Sequence, residues 1–229
     1  MNRFLSTLAI AGAATAVMAA MPVSAQVNGM ATASPEAVIV RAAARVAGYN
    51  QIDQTYAAQI AQIRTVRQEA NTLQQSLDTN RDNNLTEQEV QANPGVVQQI
   101  QQKEQQIAQI SQPIALAQYY VIEQIINDYQ NAQNQVLQQK RIQVLIAPDA
   151  IQYAPDNFNV TNDILAAVNQ RLPTVSTTPP ANWQPRRETV QTHQAVQQIL
   201  LAAAQQQALQ QQQQQQQQAQ QPAQAPQGR

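Results

Sequence analysis

Along residues 49–140 apolar side chains recur in alternating steps of three and four, the spacing that keeps one face of a helix against a partner helix. Tyr56, Ile63, Ala70 and Leu77 fall at one heptad phase and Ile52, Val66 and Leu73 at the other, with only Gln59 out of step. This helix is expected to stop near Leu77, because Asp78-Thr-Asn-Arg-Asp-Asn-Asn84 is rich in side chains that bond their own backbone and favour turns. Thr86-Glu-Gln-Glu89 restarts a helix as a capping box, and Asn93-Pro94-Gly95 predicts a reversal. The returning helix begins near Val96. Its seam runs through Ile100, Ile107, Ile110, Ile114, Ala117 and Val121, broadens at Ile122, Ile125, Ile126 and Tyr129, and contains Pro113, where a kink is expected. Residues 41–93 and 95–141 form limbs that, at about 1.5 Å per residue, would each reach roughly 60 to 70 Å and return to one level.

At that level the pattern predicts β structure. Ala37-Val-Ile-Val40 reads as a leaving strand, and 142–147 and 150–153 read as returning strands around a turn at Pro148-Asp149. The fold class is therefore α+β and mostly helical: a small β body carrying a long α-helical hairpin arm. Residues 26–35 read as a flexible leader and 162–171 as a helix closed by Pro173. Residues 174–186 read as a Pro/Thr linker, 187–209 as a further helix, and 210–229 as a glutamine-rich tail with nothing to bury, hence disordered. Three short strands do not make a stable sheet alone, so self-association follows from the thin body.

Composition narrows the setting. Asn2-Arg3, the apolar run from Leu5 to Ala20 and the small residues Val23-Ser24-Ala25 read as a secretory signal cut after Ala25. That predicts export to the periplasm and no transmembrane segment in the mature chain. There are no cysteines, so thiol chemistry is excluded. Without Arg3, 12 Lys and Arg stand against 14 Asp and Glu, a net charge of −2 with no basic field for nucleic acid. Aromatic content is 4%, too little for a large layered core but compatible with helix packing.

Candidate chemistry is sparse. No Ser/His/Asp set, Gly-rich phosphate loop or multi-His metal site is present, so the reading is not an enzyme. Residues 78–89 fit a twelve-residue calcium loop of the EF-hand type. Asp78, Asn80 and Asp82 stand at positions one, three and five, the backbone of Asn84 at seven, Thr86 at nine and the bidentate acid Glu89 at twelve. Asn83 takes the sixth position, where glycine is usual. The same residues also serve as a helix stop and a capping box. With three carboxylates among the ligands and Arg81 beside them, calcium affinity would be weak, about 10⁻⁴–10⁻³ M. No cofactor is otherwise required. His193 reads as a solvent-facing helix residue, and Trp183 as a residue that docks the tail on the body.

The order of signal, short strand, helical hairpin, strand pair and small helix resembles the OmpH/Skp family of periplasmic chaperones. The residues that carry the resemblance are Ala37-Val-Ile-Val40, Val121-Ile-Glu-Gln-Ile-Ile126 and, above all, Arg141 to Ala154 followed by Val160-Thr-Asn-Asp-Ile-Leu165. It covers roughly residues 36–173 and implies a homotrimer whose tentacles enclose unfolded outer-membrane proteins without ATP. It also implies a final helix opened by Thr161 and Asp163. The chain departs from the family in its near-neutral charge, which weakens the case for charge-based client capture, in the loop at 78–89, and in the tail beyond about Thr174.

The functional expectation is a periplasmic holdase for unfolded outer-membrane proteins, gripping them through apolar residues left over on the arm near Ile114 to Tyr129. The alternatives are a structural coiled-coil spacer of the envelope and a calcium-responsive binding module.

Overall fold

The computed structural model describes residues 29–220, with side chains as far as Gln216. The signal reading of residues 1–25, the start of the leader and residues 221–229 lie outside the described residues. The chain runs β1 (Met30–Thr32), α1 (Pro35–Arg41), α2 (Ala43–Thr55), α3 (Ala57–Leu77), α4 (Glu87–Ala92), α5 (Pro94–Gln139), β2 (Val144–Ile146), α6 (Thr161–Arg171) and α7 (Arg187–Gln220). It is mostly helical, with a small two-stranded sheet.

The hairpin forms where the heptads put it. α3 packs along α5, and Ile63, Val66, Ala70 and Leu77 are buried against a seam that includes Ile100 and Ile114. α2 and α3 are separated only at Tyr56, whose backbone still accepts from Ile60 and donates to Ile52, both at 2.9 Å. The reversal occurs at Asn93, which closes α4 and opens α5 with Pro94 in the first turn. α5 is continuous for 46 residues, about 69 Å at 1.5 Å each, and runs unbroken through Pro113.

Three strand expectations are corrected. Residues 37–40 are helical, because Ser34 caps them: its Oγ accepts from the Ala37 amide at 3.2 Å, Pro35 stands in the first turn, and Glu36 faces the N-terminal end of the dipole. The first strand lies instead at Met30–Thr32, in the expected leader. It pairs in parallel with Val144–Ile146, in the register Met30 with Val144, Ala31 with Leu145 and Thr32 with Ile146. Gly29, at φ +78°, turns its carbonyl to accept from the amides of Gln143 and Val144 at 2.7 and 2.9 Å. Only 144–146 of the expected strand 142–147 is extended into the sheet. Residues 150–153 form no strand, since Pro148–Ala150 is a single 3₁₀ turn and Pro155 stands just beyond.

The body is held by helices rather than by its sheet. Val38, Ile39, Ile52, Val121, Ile122, Ile125, Ile164 and Val168 form one buried cluster drawn from α1, α2, α5 and α6. Asn169 of α6 accepts from the Ala43 amide at 2.9 Å, supplying the cap that Ala42 lacks. Lys140 pairs with Asp163 at 3.0 Å, and Arg171 grips Asp128 at 2.8 Å, fastening α6 to the foot of the arm. The glutamine-rich segment expected to be disordered is helical as far as Gln220, a continuation of α7 whose described side chains beyond Leu200 are exposed. Glutamine is a fair helix former, and α7 is already nucleated by its docked first turns.

Candidate functional site

Two places carry the polar and apolar groups that function could use: the loop at the arm's tip and the broad face of α5 near the body.

At the tip, Asp78, Asn80 and Asp82 turn inward. Asp78 accepts from the amides of Asp82 and Asn83 at 3.1 and 2.9 Å, and Asp82 accepts from the Asn84 amide at 2.8 Å and from Asn80 Nδ2 at 2.9 Å. Asn83 takes φ +61°, the left-handed turn that the sixth loop position demands; Arg81 does the same at φ +60°. Glu89 is buried at 8% exposure. Its Oε1 accepts from the Thr79 amide and hydroxyl and the Asn80 amide, its Oε2 from the Thr86 amide and hydroxyl. With Thr86 accepting in return from the Glu89 amide, the capping box is complete. Hydrogen bonds from Thr86, then Thr79 and Asn80, hold the Glu89 carboxyl down at about 2. Among the described residues no three carboxylate or imidazole side chains converge on a metal position. All the candidate donors are oxygens, as calcium prefers, but a bidentate Glu89 would have to give up the bonds it now accepts.

The arm's seam is closed. Among the described residues the exposed large apolar side chains on the hairpin are Val46, at the foot of α2, and Leu85, in the tip loop. The expected leftover stripe from Ile114 to Tyr129 is covered too, and what covers it was legible only in part. After α6 the chain returns along α5 as a non-helical strap, residues 174–186, and then as α7. Gln124 of α5 grips the strap's backbone: its Oε1 accepts from the Ser176 amide at 3.0 Å, and its Nε2 donates to the Ser176 carbonyl at 2.8 Å. Trp183 packs edge-on to Tyr120 with centroids 5.1 Å apart, the docking its position between prolines suggested. Arg186 reaches Glu123 and Asn127, and the fully buried Thr189 donates to Glu123 Oε2 at 2.6 Å.

His193 is not solvent-facing. It is buried edge-on to Tyr119 at 4.7 Å, with Nε2 3.2 Å from Gln118 Oε1 and from Gln197 Nε2. Burial lowers its pKa from the ordinary value of 6.5, favouring the neutral ring. Its α5 partners lie 75 residues away in sequence for Gln118, so no local signal announced them.

The chain matches no family model and no curated protein. Among solved structures it is similar to a Caulobacter crescentus CB15 protein, a candidate outer membrane chaperone described as OmpH-like. The two share 15% identity over 69% of this chain and 94% of that one, with a TM-score of 0.44. A likeness of that degree says nothing about clients or chemistry.

Further exposed apolar side chains lie along α7, at Ile199, Leu201 and Leu209, and at the body. Val144 is 49% and Tyr153 88% exposed, beside a cavity of about 490 Å³ lined by Met30, Ile146, Ile151 and Phe158. The outer edge of β2 has no strand partner among the described residues. Such an edge leaves its backbone N–H and C=O groups unpaired beside exposed apolar side chains. No described helix is long and apolar enough to cross a membrane.

Proposed function

We propose that the protein is a periplasmic, ATP-independent holdase that binds unfolded outer-membrane proteins. It would self-associate through the body face around Val144 and Tyr153, as a trimer in line with the resemblance of residues 141–165. The observation that supports binding rather than catalysis is the face of α5 from Gln118 to Asn127. The hairpin partner leaves it free, and it is covered by an irregular segment held largely through side chains. Such a face suits weak contacts with a flexible chain, and several arms would multiply them.

A structural spacer is the second reading, favoured by the closed seam of the arm. Calcium at Asp78, Asn80, Asp82, Asn84, Thr86 and Glu89 would stiffen the tip in either case, a role that the left-handed Asn83 suits. Light scattering during dilution of a urea-unfolded β-barrel membrane protein, with and without calcium, separates the readings. Suppression at stoichiometric chain supports the holdase, and calcium-dependent suppression the responsive module. Undiminished scattering in both arms leaves the spacer. Calorimetric titration with calcium should give heat that is lost in Asp78→Ala/Glu89→Ala; no heat, or unchanged heat in the variant, removes the metal.

A further inference from the structure

We propose that the strap is the resident occupant of the client groove: unfolded segments bind the α5 face by displacing residues 174–186. This rests on the holdase reading and specifies its site.

The grip of Gln124 on Ser176 engages one amide and one carbonyl of the same residue. That pair reads backbone, not side-chain identity, so any segment with a free N–H and C=O at that point can take the place of Ser176. On either side sit two apolar anchors. Val175 lies against Gly48, its Cγ2 3.3 Å from where a Cβ would stand, and Trp183 lies on Tyr120. Both anchors are only half-buried and the strap between them has no helix or strand of its own. Detaching it therefore costs few internal bonds, whereas the buried Thr189 and Val196 of α7 hold the flanking helix.

Seated on α5, then, is a non-helical peptide with a β-branched residue, an aromatic residue and a paired backbone. Strands of β-barrel membrane proteins present the same set, alternating apolar residues with aromatic girdles. Arg186 ends the strap on Glu123 and Asn127, which marks the polar limit of the groove.

The chain has one tryptophan, so the emission of Trp183 reports the strap directly. The probe is a fluorescein-labelled, Trp-free peptide alternating Tyr or Val with Ser or Thr. Its binding is read by anisotropy, and an unlabelled copy is added in parallel for the tryptophan spectrum. In the unmodified chain the unlabelled peptide should shift Trp183 emission to longer wavelength. The Trp183→Ala/Arg186→Ala variant alters no fully buried group, and circular dichroism confirms that it folds. It should bind the labelled peptide about tenfold more tightly if the strap is docked in roughly nine molecules of ten. Gln124→Ala added to the double variant, where the strap is already released, should bind it more weakly than the double variant alone. The proposal is overturned if peptide binds without moving the emission, or if the double variant binds no tighter. If the unmodified chain still suppresses aggregation in that event, only the displacement fails. If no variant binds peptide and none suppresses aggregation, the holdase reading fails with it.

Discussion

Gly48 sets how closely α2, α5 and the strap approach, and replacing it with alanine pits two known effects against each other. In an isolated helix, Gly→Ala gains about 1 kcal/mol. Here the added Cβ would lie 3.0 and 3.2 Å from the two γ-carbons of Val121 and 3.3 Å from Val175 Cγ2. Val121 is fully buried in α5, and as a β-branched helical residue it has essentially one rotamer, so it cannot swing aside. Val175 lies on the strap and can yield. Overpacking costs about 1–3 kcal/mol, so after the helix gain Gly48→Ala should be net destabilising by up to about 2 kcal/mol. That corresponds to a fall in Tm of up to about 8 °C for a chain of this size. Gly95→Ala is the internal control. A Cβ there meets nothing within 4 Å, so the substitution should stabilise by about 0.4–1 kcal/mol. Urea unfolding followed by circular dichroism gives both values, and hydrogen exchange should show residues 174–178 opening in Gly48→Ala alone. A Gly48→Ala chain as stable as Gly95→Ala would refute the claim that this contact fixes the spacing.

Two further outcomes follow from the titrating groups. Glu89 is depressed to about 2, so its contribution is fully present above its unfolded value near 4.5 and is lost as pH falls through about 2. The protection factors of the Thr79, Asn80 and Thr86 amides should fall across that window, and Glu89→Ala should show low protection there already at neutral pH. His193 is a base whose pKa is lowered, so its contribution is present above about 6.5 and declines as pH falls below it. The first turns of α7, packed on Gln118 and Tyr119, should lose exchange protection as pH falls below about 6.5. His193→Gln should flatten that dependence; an unchanged slope would mean that the ring is not the sensor.

The hairpin was legible because it is local and periodic: heptads fix which side chains meet, and Asn93-Pro94 can only turn. The tip loop was legible for the same reason, since its bonds join residues at most ten apart within 78–89. The body was misread where local cues conflicted. Val38-Ile-Val40 is β-branched, yet Ser34-Pro35-Glu36 opens a helix, and the cap outweighed side-chain propensity. The strand at Met30–Thr32 has no periodic signal at all; it exists because Gly29 presents a carbonyl to a partner more than a hundred residues away. The cover on α5 was hidden for the same reason. Trp183 hinted at it, but Gln124, Glu123 and Gln118 look like any other polar residues of a glutamine-rich helix until the strap is laid on them.

The holdase claim is tested most directly by sedimentation velocity. A fluorescent β-barrel membrane protein is diluted from urea into buffer containing the full chain at stoichiometric oligomer. The account predicts that the label stays in solution as one defined, faster-sedimenting complex with the chain. Label that pellets as aggregate at the same rate with and without the chain would contradict it.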